Sequence, residues 1–131
     1  MTTPRRPTLR ALVYGDVHLN LIDGSAVWLV STAECLARSG VDVTVLLKHR
    51  ITTDRMLQPL RSLSQVALLE PGGRTLTPEE AATEVQRLHD KHPYDLIVVR
   101  GSRSVSAMVR LGTLRSVLWT YLTDIPQSVT A

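Results

Sequence analysis

Short apolar runs alternate along this chain with stretches whose apolar residues recur every three or four positions. Residues 9–15 (LRALVYG) form a compact run rich in Leu, Val and Tyr that ends in glycine, which predicts a buried strand. From Ser25 to Ser39, Ala26, Leu29, Val30, Ala33, Leu36 and Ala37 fall at helical spacing, and Gly40 is placed to stop the helix. Residues 41–47 (VDVTVLL) are β-branched and follow almost at once, the tight joint of a βαβ unit with an expected right-handed parallel crossover.

The pattern then repeats. Residues 54–63 predict a short helix interrupted near Pro59, and residues 65–70 (QVALLE) a third strand. Thr77 followed by Pro78, Glu79 and Glu80 is a capping box with proline in the first turn, so a helix is expected to run to about Lys91 and to end at His92 and Pro93. Residues 95–100 (DLIVVR) read as the fourth strand. Residues 102–111 read as a helix with Val105, Met108 and Val109 inward, and 116–121 (SVLWTY) as the fifth strand. This βαβαβαβαβ order predicts an α/β, Rossmann-like three-layer domain with a parallel sheet of about five strands. Ligands of such sheets bind beyond the carboxyl ends of the strands, so chemistry is expected in residues 16–24, 48–53, 70–76, 101–103 and 122–127.

The 131 residues suit one domain, read as a flexible leader over 1–8 and a folded unit over 9–131. The chain stops soon after the fifth strand with no further helix, so a truncated domain is expected. No apolar run approaches the ~20 residues of a membrane span, and no signal-peptide core follows Arg5 and Arg6, which points to a cytoplasmic protein. Fifteen Lys and Arg against twelve acids give a formal net charge of +3, spread along the chain. With no basic block and 4% aromatics, nucleic acid is not an expected partner. The excess does suit phosphate groups or peripheral contact with an anionic membrane surface. A single cysteine, Cys35, rules out an internal disulfide and is expected to be a buried, inert thiol.

The first rim segment, from Asp16 to Ser25 (DVHLNLIDGS), concentrates the polar chemistry. Gly24 and Ser25 stand where a strand turns into a helix N-terminus, which offers free N–H groups and the positive dipole end to a phosphate. The same two residues serve equally well as a turn and a cap. The three-glycine dinucleotide spacing is absent, and so is a Gly-Lys-Ser/Thr phosphate loop.

Residues 14–48 (YGDVHLNLIDGSAVWLVSTAECLARSGVDVTVLLK) resemble the opening of the retaining glycosyltransferases of GT-B fold, the family 4-like or "glycosyl transferases group 1" type. Those enzymes pair two facing Rossmann-like domains. Asp23-Gly24 stands where the family usually has Gly-Gly, and Leu36-Ala37-Arg38-Ser39-Gly40 followed by Val41-Asp42-Val43-Thr44-Val45 matches its helix end and second strand. Pro93-Tyr94-Asp95-Leu96-Ile97 resembles its Pro-x-Asp strand entry, and the stretch from Trp119 to Ile125 its strand leading to His-Asp, with Thr123 in place of the histidine and Asp124 retained. The resemblance implies the N-terminal, acceptor-side half of a GT-B enzyme that transfers a sugar, of hexosyltransferase type, from a nucleoside-diphosphate sugar to an acceptor hydroxyl. It implies Asp16, His18 and Asp124 as catalytic residues and Gly24 and Ser25 at the donor phosphates. Asn20, Asp23, Arg100, Ser102, Arg103 and Thr123 fall on the acceptor side. It further implies no tightly bound cofactor and no metal, with the sugar nucleotide as donor substrate. The family's Glu-x7-Glu donor-holding segment belongs to its second domain, so the missing C-terminal domain is the expected partner and the chain alone is expected to be inactive.

Two rivals remain open. Asp16-x-His18 after a first strand is also how binuclear metallophosphoesterases begin, but Lys48-His49-Arg50 follows the second strand where metal ligands are needed, and no Asn-His pair occurs. A flavodoxin-like binding module without chemistry is the other. His49, His89 and His92 carry no assigned role. Trp28 and Trp119 are expected in the core or against a partner domain, with Trp28 also able to border the cleft.

Overall fold

A computed structural model describes residues 8–20 and 24–121. The expectations placed on Asp23, Thr123 and Asp124 lie outside the described residues. The elements are β1 (Arg10–Gly15), α1 (Gly24–Arg38), β2 (Asp42–Leu46), α2 (Gln58–Arg61), β3 (Val66–Leu69), α3 (Pro78–Lys91), β4 (Leu96–Arg100), α4 (Ser102–Leu111) and β5 (Leu118–Tyr121). Every strand pairing is parallel, and the order is β3-β2-β1-β4-β5. This is the Rossmann-like arrangement and not the 2-1-3-4-5 order of flavodoxin-like sheets.

The register explains both cores. Leu68, Val45, Val13, Val98 and Trp119 form one row across the sheet. Val13, Val45 and Val98 pack with Ala26, Leu29, Val30, Ala33 and Ala37 of α1 and Leu60 of α2. The neighbouring positions Leu12, Tyr14, Leu46, Ile97 and Val99 turn to the other face, against Ala81, Ala82 and Val85 of α3 and Ala107 and Met108 of α4. Strands buried on both faces account for the continuous apolar runs that the sequence shows. Each fully buried Leu, Ile or Val contributes about 1.5–3 kcal/mol relative to exposure.

Helix α1 closes as its sequence foretells. Gly40 adopts φ 90°, with Val41 N donating to Leu36 O and Gly40 N to Ala37 O, the paired bonds that satisfy a helix's last carbonyls. At the base of the sheet the Pro-x-Asp segment acts as a clamp: Arg10 N donates to Asp95 Oδ2 at 2.8 Å, and the Arg10 guanidinium donates to His92 O and Pro93 O and lies over the Tyr94 ring.

Three expectations are corrected. Helix α2 is one turn, from Gln58 to Arg61, not a helix over 54–63: Leu57 N and Gln58 N turn onto Asp54 O ahead of it, and Pro59 falls in its first turn, where the missing N–H is tolerated. The inward stripe of α4 is Ser104, Ala107 and Met108, with Val105 and Val109 only half-buried. Cys35 is exposed, since α1 turns its alanines to the sheet and leaves Cys35 on its flank. That flank borders a groove of about 420 Å³ lined by Trp28, Leu36, Leu96, Val98 and Trp119, where α1 does not reach β5 and Trp119 is 62% exposed. Among the described residues no helix is long and apolar enough to cross a membrane.

Candidate functional site

The strand order reverses between β1 and β4: the chain leaves β1 toward β2 and β3, then returns to place β4 on the opposite side. Loops that diverge from adjacent strands in this way open a crevice at the carboxyl rim. Its floor is tight. Gly15 pairs with Arg100, and Asp16 N donates to Arg100 O at 3.1 Å. Gly101 crosses directly beside Asp16 at φ 115°, where a Cβ would stand 2.9 Å from the Asp16 Cβ. Only glycine fits that conformation and that approach.

Above the floor the β1 and β2 loops are fastened together. The Asn20 amide donates to Arg50 O at 3.0 Å, and its oxygen accepts from Thr52 N at 2.8 Å and Thr53 N at 3.3 Å. Asp16 forms an ion pair with Lys48. The His18 and His49 rings stack with centroids 4.2 Å apart, and His49 Nδ1 lies 2.9 Å from the Thr75 hydroxyl on the β3–α3 loop. His18 Nδ1 accepts from Asn20 N at 3.3 Å, which leaves the proton of the neutral ring on Nε2. Burial holds the His49 pKa below the usual imidazole value; His18 and Lys48 push the same way and Asp16 opposes them. The His49 imidazole is therefore biased toward neutrality. Beneath the rim, burial first and the Asp16 charge second raise the Tyr14 hydroxyl's pKa, so it stays protonated. The Ser104 hydroxyl beside it lowers that pKa somewhat, yet is itself buried without a hydrogen bond of ordinary geometry.

The expected site residues divide by face. Asp16, His18 and Asn20 meet at the rim, and Gly24 and Ser25 form the first turn of α1. Arg100 reaches to the α1 side, its guanidinium 5.4 Å from the centre of the Trp28 ring, within range of a cation–π contact. Ser102 and Arg103 instead line a polar hollow with Glu79, Ser106 and Arg110 on the α3–α4 side. Asn20 spends its amide on three backbone groups of the β2 loop and so works as a staple between loops. Among the described residues no three His, Cys, Asp or Glu side chains come close enough to hold a metal ion. The sequence reading missed Lys48, His49 and Gly101; the Lys48-His49-Arg50 run and the glycine after β4 were the visible signals.

No protein-family profile and no curated protein matches the sequence. Solved structures that resemble the fold include two that overlap nearly all of this chain. The C-terminal domain of a hydrogenase from Pyrococcus furiosus superposes with a TM-score of 0.60 at 13% identity, covering 95% of this chain and 96% of that one. Phytolacca americana UGT2, solved with UDP-2-fluoro-glucose and pterostilbene, superposes with a TM-score of 0.61 at 14% identity. This chain is covered over 93% of its length in that match and spans 32% of the glycosyltransferase. At such identities the likeness is one of fold. The chain is a Rossmann-like α/β domain.

Proposed function

We propose that the chain is the acceptor-side Rossmann-like domain of a glycosyltransferase that moves a sugar from a nucleoside-diphosphate donor to an acceptor hydroxyl. The observation that carries this reading is the meeting, at the strand-order reversal, of the Asp16 and His18 loop with the Arg100–Gly101 turn, next to the first turn of α1. The motif resemblance over residues 14–48 and the fold shared with one third of a glycosyltransferase support it.

In this reading the amide groups at Gly24 and Ser25 face the donor diphosphate, where helix N–H groups and dipole stabilise the charge that grows as the sugar departs. The Asp16 carboxylate accepts a hydrogen bond from the acceptor hydroxyl, and the His18 Nε2–H donates to an acceptor oxygen. A second domain supplies the rest of the donor pocket.

The test is to express the full reading frame and follow nucleoside-diphosphate release from a panel of sugar nucleotides with and without hydroxyl acceptors. Acceptor-dependent release that falls about 10²-fold or more in Asp16→Asn is expected. No turnover and no binding of any sugar nucleotide overturns the reading. Manganese-dependent cleavage of a phosphate ester would favour the metallophosphoesterase instead.

A further inference from the structure

The unused hydrogen-bond donors at the rim point to a ligand class that the sugar-transfer reading does not require. Lys48 carries three N–H donors, and among the described residues its one partner is Asp16. Its side chain is only 22% exposed. The His18 ring carries its proton on Nε2, as fixed by the bond to Nδ1, and that nitrogen has no partner among the described residues. His49 Nδ1 is paired with the Thr75 hydroxyl and its Nε2 is likewise unpartnered there; Nε2 carries a proton to donate when that hydroxyl donates to Nδ1 or when the ring is protonated. Half-buried donors left in this state favour an acceptor that brings several oxygens at once.

We propose that Lys48, His18 and His49 form a binding site for a tetrahedral oxyanion, the phosphate group of a soluble small ligand. The site shares His18 with the sugar-transfer reading but stands whether or not a sugar is transferred, because neither Lys48 nor His49 enters that reading. The Asn20 staple fixes the distance between the two loops that carry the donors, so the site is held in place before ligand arrives. Lys48 keeps Asp16 on one N–H and turns the others to the anion.

Among the described residues, the charges acting on His49 are Asp16 from the β1 loop and Lys48 from the β2 loop, with the exposed Arg50 next along that loop, while the β3–α3 loop brings the neutral Thr75. Without an anion, a proton on His49 is opposed by burial, by the His18 ring and by Lys48. A bound dianion reverses that balance, and the coupling is reciprocal: anion favours the proton, and acid favours the anion.

Sulfate is the probe, because its charge stays constant over the range in which imidazole titrates. Its affinity is measured calorimetrically at about pH 6 and about pH 8, with the histidine Cε1–H resonances followed by NMR. The expectation is binding about tenfold tighter at the lower pH, the effect of one linked proton. The titration midpoints of His18 and His49 rise with sulfate while those of His89 and His92, at the opposite end of the sheet, stay fixed. Lys48→Met weakens binding about tenfold. His49→Gln flattens the pH dependence, with an unchanged amide spectrum to confirm the fold. Equal sulfate affinity at both pH values, or equal movement of all four histidines, overturns the proposal, and the wild-type measurement decides it even if a variant fails to fold.

Discussion

Gly101 shows how much of the site depends on one missing side chain. Its φ of 115° and the 2.9 Å approach to the Asp16 Cβ hold the end of β4 against the end of β1, where the crevice begins. Gly101→Ala combines backbone strain with a clash and is expected to cost about 2–4 kcal/mol, read as a lowered urea midpoint with an unchanged slope. An effect within about 0.5 kcal/mol would show that the turn can relax. At this scale the sequence was only partly legible. Asp16 and His18 stood out as polar residues after a strand, but their partners Lys48 and His49 lie some thirty positions away, and nothing local announces the pairing. Asn20 had the chemistry of a ligand contact, and its amide proved to be engaged by the backbone at positions 50, 52 and 53. Cys35 had the composition of a buried thiol and sits on the flank of its helix.

At the scale of elements, the clearest signals were those in which a local rule and the packing agree. Helix α3 begins where its capping box places it: Thr77 Oγ1 accepts from Glu80 N at 3.1 Å, and Glu80 Oε1 accepts from Thr77 N at 3.1 Å. Thr77→Ala is expected to lower stability by about 1 kcal/mol, measured by thermal or urea unfolding. The backbone bond from Thr77, then the contact with Arg74, holds the Glu80 carboxyl below its ordinary pKa. A depressed folded pKa means that the stabilisation is present above the ordinary glutamate range and is lost as pH falls through the folded value. Glu80→Gln is therefore expected to reduce the loss of stability on acidification below about pH 4.5, and an unchanged acid profile would show that the box contributes nothing through charge. Where local rules and packing diverge, legibility fell. Helix α2 shrank to one turn around Pro59. The stripe of α4 settled on Ser104, Ala107 and Met108, because the small residues let it approach α3 closely, and no periodicity in ten residues distinguishes that face from the one beside it.

At the scale of the molecule, five apolar runs separated by amphipathic stretches were enough to reach the layered parallel sheet. The strand order was not readable, since alternation is the same in any doubly wound sheet. That order decides where the crevice falls, between β1 and β4, and it separates Arg100 from Arg103, which are near neighbours in sequence but lie on opposite faces of the sheet. It also leaves the β4–β5 face beside α1 open, with Trp119 exposed beside Val98. The central claim is that ligand chemistry resides at the carboxyl rim of the strand-order reversal. Amide chemical-shift mapping of the chain with UDP-glucose tests it most directly. The account predicts shifts confined to residues 16–20, 24–28, 48–50 and 100–101, with the basal clamp of Arg10, Tyr94 and Asp95 silent; shifts centred on that clamp or on the α3–α4 hollow, or none at saturating ligand, would contradict it.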